Sequence, residues 1–176
     1  MNNSEFEMVG EKVSLRLITS DDTDLIVKWR NNDRIRNNFV YREFFTREIH
    51  ENWLKTKVDT GNVVQLIICE NSRENRPVGS VYFRYEDDNR KNAEYGIFIG
   101  EDDAVGKGYG NETANLAVEY ARNKLGLDKL MLRVFSYNKI AQKSYEQAGF
   151  SKSGKLPMVV CSDGQKSDMI LMELVL

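Results

Sequence analysis

The sequence predicts a mixed α/β (α+β) fold, a mostly antiparallel central sheet of about seven strands flanked by about four helices. Three observations carry this. Val63–Cys69 and Val78–Tyr85 read as strands across the polar turn Asn71–Arg76, a hairpin pattern. Asn92–Ile99 reads as a third strand that runs into a glycine-rich loop and then an apolar helix. Phe150–Val160 and Lys166–Leu174 close the chain as a strand pair around Ser162-Asp163-Gly164. Hairpins combined with strand–loop–helix units point to a mixed sheet rather than a doubly wound parallel one.

The other elements follow from periodicity and caps. Glu11–Ile18 alternates Val13, Leu15 and Leu17 with Ser14 and Arg16, the period of a half-buried strand. Thr19-Ser20-Asp21-Asp22 supplies a cap and first-turn acids for a helix over Asp24–Arg30, with Leu25, Ile26 and Trp29 on its apolar face. Arg30–Arg34 reads as a polar turn, and Phe39-Val40-Tyr41 with Phe44-Phe45 as an aromatic cluster in a loop, suited to a core plug or to a pocket wall. Thr46 caps a second helix that ends at Asp59–Asn62; His50 on it reads as a surface or cap residue. From Glu112 to Leu125, Ala114, Leu116, Ala117, Val118, Tyr120, Ala121 and Leu125 form a broad helical apolar face. Lys129–Phe135 alternates as a strand. Asn138 then caps a helix to Ala148, with Gly149 as its C′ residue.

Composition narrows the function classes. At 176 residues the chain is expected to form a single domain over 1–176. A net charge of −2 with no Lys/Arg block disfavours nucleic acid as a partner. No apolar run approaches a membrane span, and MNNSEFEMVG has neither a basic n-region nor an apolar h-region, so no membrane association is expected. Two distant cysteines, Cys69 and Cys161, and one histidine leave no disulfide framework and no metal site. A metal-free, cytoplasmic protein is the expectation.

Val105-Gly106-Lys107-Gly108-Tyr109-Gly110-Asn111 is the stretch around which the chain is organised. Three alternate glycines feeding a helix N-terminus turn several backbone N–H groups outward at the positive end of the helix dipole, which suits the phosphates of a cofactor. No Gly-Lys-Ser/Thr is present, so this is not a P-loop. The spacing is GxGxG rather than the Rossmann GxGxxG, and Asp128 lies only approximately where a ribose-binding acid would. A glycine-rich turn without ligand is the structural alternative.

The loop is similar to the Gln/Arg-x-x-Gly-x-Gly/Ala signature of the GNAT superfamily of N-acetyltransferases, with Val105 in place of Gln or Arg and with Gly108 and Gly110 matching. Asn138-Lys-Ile-Ala141-Gln-Lys-Ser144-Tyr145-Glu-Gln-Ala-Gly149-Phe150 resembles the superfamily's N-x-x-A-x-x-x-Y-x-x-x-G-F stretch, at the usual distance after the loop. Together the two signatures cover 94–150. The opening VSLRLITSDD and the KWRNND of Lys28–Asp33 resemble the ribosomal-protein and spermidine N-acetyltransferase branch, which includes some nucleotide-amino-sugar enzymes.

The resemblance implies acetyl-CoA as co-substrate and direct transfer of acetyl to an amine, on a GNAT-like sheet with a splayed strand pair. It implies Glu94 as base; the structural alternative is an exposed strand acid or a salt-bridge partner. It implies a backbone N–H around Phe98 as oxyanion donor, and free backbone at Ile97, Phe98 and Ile99 for the pantetheine arm. The amides of Gly106, Lys107, Gly108, Tyr109, Gly110 and Asn111 would hold the pyrophosphate, Asn138 would bond near the thiol, and Tyr145 would return a proton to the thiolate. Structurally, Tyr145 also suits a core aromatic and Asn138 a simple cap. For the acceptor, Asp33, Glu43, Glu48 and Glu51 suit a polyamine, while Arg30, Arg34, Arg36 and Arg42 suit a nucleotide sugar or phosphate; a peptide amine is a third choice. A catalytically silent acyl-CoA-binding sensor and a nucleotide-binding regulatory domain are the alternatives outside catalysis. An exposed edge among the last strands leaves room for a homodimer.

Overall fold

A computed structural model describes residues 5–176. Its strands are β1 (Met8–Val9), β2 (Val13–Leu17), β3 (Val63–Glu70), β4 (Arg76–Tyr85), β5 (Asn92–Ile99), β6 (Lys129–Phe135), β7 (Ser151–Val160) and β8 (Lys166–Val175). Its helices are α1 (Thr23–Arg30), α2 (Asp33–Arg36), α3 (Arg47–Trp53), α4 (Tyr109–Asn123) and α5 (Lys139–Gln147). All eight strands form one sheet in the order β1-β2-β3-β4-β5-β6-β8-β7. Every neighbour pair is antiparallel except β5–β6.

The mixed, mostly antiparallel sheet is as expected, with one more strand and one more helix. The extra strand, β1, is two residues long and too short to carry a period. The extra helix, α2, is a single turn capped by Asn32 inside the polar stretch read as a turn. α4 starts three residues earlier than the apolar pattern, because Gly108 caps it and Tyr109, Gly110 and Asn111 make its first turn. α3 continues as one π-helical turn over Leu54–Val58.

Helices cover both faces. On one, α4 brings Ala114, Ala117 and Ala121, all essentially buried, against a core of Val13, Leu15, Leu66, Ile68, Phe83 and Leu130. Small side chains let the helix axis approach the sheet closely, so the helix that carries the glycine loop is rigidly seated. On the other face, Ile26 and Trp29 of α1, Phe45 just before α3 and Leu54 just after it pack on Ile67 and Cys69. The alternation of β3, Leu66 and Ile68 to one side and Ile67 and Cys69 to the other, is the strand period at work.

Three polar clusters fix the loops. Asp22, 3 % exposed, takes two bonds from the Arg16 guanidinium at 2.7 and 2.9 Å and caps back onto Thr19 N–H. That pairing and the backbone bond outweigh the burial that opposes ionisation, and hold the carboxyl below its usual range. Arg42, nearly buried, bonds the carbonyls of Asn37 and Phe39, Gln165 Oε1 and the Tyr137 hydroxyl, so it staples the 37–42 segment to the β7–β8 turn. His50 corrects the surface assignment: it is 1 % exposed, with Nδ1 at 3.0 Å from Thr23 Oγ1. An i+4 helical position facing α1 rather than solvent is not visible in the pattern of α3 alone.

Candidate functional site

β5 and β6 are eight and seven residues long, yet they pair only over Asn92–Lys129, Ala93–Leu130 and Glu94–Met131. Beyond Glu94 the two strands part, leaving a wedge in the sheet. Which groups face the wedge follows from the β4–β5 ladder. Glu86 N–H donates to Asn92 O at one end and Gly100 N–H to Val78 O at the other, with Ser80 opposite Phe98. Antiparallel alternation therefore directs the backbone of Glu94, Gly96 and Phe98 at β4, and that of Ile97 and Ile99 into the wedge. The Phe98 amide thus lies in the β4 ladder, and around it the wedge-facing amides are those of Ile97 and Ile99. Arg34 Nη1 covers the Ile99 carbonyl at 2.9 Å.

The glycine loop stands at the end of β5 on a rigid base. Glu101 receives Lys28 Nζ and Trp29 Nε1, Asp102 receives Asn32 and Arg34, and Asp103 receives Arg73 and Arg76. Nothing in the sequence period marks this acidic triplet; the partners lie about 30 to 70 residues away. Gly106 and Gly108 have φ of +79° and +82°, the left-handed region that glycine adopts without strain. A Cβ on Gly106 or Gly110 would meet nothing within 4 Å, so the loop surface is open. α4 has no side-chain cap, so its first N–H groups remain available to an anion. Tyr109 instead turns inward, its hydroxyl donating to the fully buried Glu70 at 3.0 Å. Val105 is exposed, and a cleft of about 480 Å³ lined by Lys12, Asn71, Ser72 and Lys107 adjoins the loop.

On the α4–α5 face Tyr145 meets Tyr95 and Phe150 edge-on at 6.1 and 6.0 Å. Burial first, and Tyr82 second, hold its hydroxyl well above the usual tyrosine value, so it stays protonated. Asn138 caps α5: its Oδ1 accepts from Ala141 N–H and its Nδ2 donates to Asn38 Oδ1 at 3.1 Å. Both ends of this amide therefore have protein partners. Ser144 on α5 donates to Asn111 on α4, tying the two helices together beside the wedge.

On the α1–α3 face lies Glu94, 8 % exposed. Its carboxylate accepts from Arg84 at 3.1 Å, from Arg133 at 3.2 Å and from the Tyr82 hydroxyl at 3.4 Å. Glu94 is therefore not the exposed strand acid of the alternative reading but a buried salt-bridge partner of two arginines from the neighbouring strands. Tyr82 lies across Gly96: a Cβ there would sit 2.2 Å from the ring. Burial, then Glu94, pushes the Tyr82 hydroxyl up to about 12. Trp53 packs edge-on against the Tyr82 ring and bonds Gln65, while Phe98 packs against Trp29 and Phe39. Of the aromatic cluster of 39–45, Phe39 therefore packs on this face of β5, while Phe44 is exposed. Among the described residues no group of three or more His, Cys, Asp or Glu is arranged to hold a metal ion, and no helix is long and apolar enough to cross a membrane.

Comparison with known proteins gives the same outline. The acetyltransferase (GNAT) domain family matches residues 12–151. The uncharacterized protein MJ1062 of Methanocaldococcus jannaschii is 31% identical over 150 residues, 84% of this chain and 30% of that protein. The chain spans between about a third and a half of the curated relatives it matches. In structure it resembles spermidine N-acetyltransferase from Vibrio cholerae in complex with CoA and spermine, TM-score 0.85 at 22% identity, covering 94% of this chain and 96% of that one. Ribosomal-protein-S5-alanine acetyltransferase from Vibrio fischeri gives a TM-score of 0.80 at 20% identity, covering 96% and 95%.

Proposed function

The chain belongs to the GNAT acetyltransferase family, and from that premise we propose that it transfers an acetyl group from acetyl-CoA directly to a primary amine, of a small molecule or of a peptide N-terminus. The observation that carries this reading is the wedge between β5 and β6, which opens near an uncapped helix N-terminus, with Tyr145 packed edge-on against Tyr95 of β5. The open amides of Gly106–Asn111 fit the pyrophosphate, and the wedge-facing amides of Ile97 and Ile99 with the Ile97 carbonyl fit the amide-rich pantetheine arm, the Ile99 carbonyl being taken by Arg34. Acetyl-CoA supplies an electrophilic thioester carbon and a thiolate leaving group.

The protein's own groups divide the remaining work. Ile97 or Ile99 N–H stabilises the oxyanion, a contact whose loss from an enzyme costs on the order of 3 kcal/mol in barrier. Glu94, bonded by Arg84 and Arg133, receives the acceptor amine and takes its proton directly or through water. Tyr145 protonates the thiolate, and its ring packing on Tyr95 and Phe150 fixes where the hydroxyl points. Asn138 acts by capping α5 and so setting that helix's position, with one Nδ2 hydrogen left for the co-substrate. A silent acyl-CoA-binding module would not need a tyrosine whose hydroxyl has no hydrogen-bond partner among the described residues. The two buried, unpaired thiols Cys69 and Cys161 suit the cytoplasm, and the exposed β7 edge suits self-association.

Thermal unfolding with acetyl-CoA at about a hundred times its dissociation constant tests the cofactor. Occupancy at that ratio stabilises the fold by about 2.7 kcal/mol, or roughly 5–10 °C for a chain of this size. No shift with acetyl-CoA, or an equal shift with ATP or NAD, would overturn the reading.

A further inference from the structure

The segment from Arg30 to Glu51 offers four arginines and four acids, and the fold sorts them. Arg34 is paired with Asp102 and Arg36 with Asp33, while Arg42 is committed to the 37–42 segment and the β7–β8 turn. Asp33, Glu43, Glu48 and Glu51 are all exposed; Asp33 and Glu51 are taken by Arg36 and Arg47. None of these acids lines the wedge.

Arg30 is different. Its guanidinium lies over the Phe39 ring at 3.7 Å and the Phe45 ring at 4.6 Å, and its side chain has no ion pair and no hydrogen bond among the described residues. Its Nε is buried without an acceptor. Burial lowers its pKa to about 10, with only the Tyr82 and Tyr41 hydroxyls opposing the loss. A second donor-capable nitrogen, His50 Nε2, is also buried without a partner, on a ring that packs against the same Phe45. The two rings support the flat face of the guanidinium and leave its edge N–H groups free, and that edge has the fork geometry that pairs with a carboxylate or a phosphate.

We propose that Arg30 docks an oxyanion carried by the acceptor, so that the acceptor is a small amine bearing a carboxylate or phosphate rather than a polyamine. This rests on the acetyltransferase reading. Tyr82 connects the two ends of such a molecule: its hydroxyl touches Glu94, where the amine is received, and it is among the groups acting on the Arg30 charge. The field of the site agrees. Arg84 and Arg133 balance Glu94 and Glu86, the latter bonded to Arg84, and Arg30 adds a cation with no acid partner among the described residues. A polyamine entering here would meet net positive charge and no free carboxylate.

The test has a binding arm and a turnover arm. The protein, with and without saturating CoA, is titrated with inorganic phosphate and with acetate while the unfolding midpoint is followed; in both series at least one anion raises the midpoint of the wild type and not of Arg30→Met, and which one does so tells phosphate from carboxylate. In the second arm, thiol release is compared for glucosamine 6-phosphate against glucosamine, glycine against glycinamide, and spermidine. The preferred oxyanion-bearing amine exceeds its neutral partner at least tenfold in kcat/KM, and Arg30→Met brings the ratio to about one without changing the acetyl-CoA midpoint shift. Arg30→Lys, which keeps the charge but not the fork, falls between. Removing an uncompensated charge leaves the midpoint of unliganded Arg30→Met unchanged or raised. The proposal is overturned by anions that move neither midpoint, by an anion shift that survives Arg30→Met, by spermidine as the best acceptor, or by a destabilised Arg30→Met that shows the arginine to be a structural support. Failure of acetyl-CoA to bind would instead overturn the acetyltransferase reading, since the anion titration reads Arg30 independently.

Discussion

Replacing Gly96 by alanine perturbs the wedge at one defined contact. The added Cβ would lie 2.2 Å from Tyr82 Cε1, 2.4 Å from Cζ and 2.7 Å from the hydroxyl, whereas ordinary contact begins at 3.4 Å. The ring must therefore retreat by the difference, 3.4 minus 2.2, or 1.2 Å. It is held in place by Trp53 on its edge and by Glu94 at its hydroxyl. Overpacking of this kind costs about 1–3 kcal/mol. Alanine recovers about 0.5–1 kcal/mol by restricting the unfolded chain, which leaves a net loss of roughly 1–2 kcal/mol. For a chain of this length that is a fall of about 2–8 °C in midpoint. The assay is a double-mutant cycle with Tyr82→Ala, read by urea unfolding. Without the ring Gly96→Ala is expected to be neutral or slightly stabilising, so the coupling is at least about 1 kcal/mol. Equal effects of Gly96→Ala in the two backgrounds would refute the account of why glycine stands at this position.

Tyr145→Phe keeps the ring contacts with Tyr95 and Phe150 and removes only the proton donor. Turnover should fall about 10²–10⁴-fold with acetyl-CoA affinity unchanged by titration calorimetry, and an unchanged rate would remove the assigned role. Gly108→Ala forces a side chain into φ +82° and towards Lys12 Nζ at 3.2 Å, so it should cost about 1–2 kcal/mol of stability and weaken acetyl-CoA binding; equal affinity would mean that the loop does not hold the pyrophosphate. Burial lowers the His50 pKa to about 4, while the unfolded ring protonates near 6.5. Between those values the unfolded chain binds more protons, so stability is full above pH 6.5 and is lost as pH falls to 4. The loss is about 3 kcal/mol. In His50→Gln that part of the pH dependence, followed by urea midpoints, should disappear.

The sequence by itself determined the elements with a strong period and clear punctuation. β5 over Asn92–Ile99 and β6 over Lys129–Phe135 keep the bounds their alternation predicts, and α5 lies between Asn138 as cap and Gly149 at φ +104°. The glycine loop was legible for the same reason: φ near +80° leaves a local signature, because few residues other than glycine adopt it. Only the tertiary structure decided matters that depend on a partner far along the chain. That the Phe98 amide faces β4 and those of Ile97 and Ile99 face the wedge is a question of register with Ser80, and a slip of one residue would reverse it. That Glu94 is held by Arg84 and Arg133, and that among the described residues Arg30 has no ion pair while Arg34, Arg36 and Arg42 do, follows from which strands and helices meet. Charge is written into the sequence residue by residue, but whether a charge is compensated is a property of the space around it.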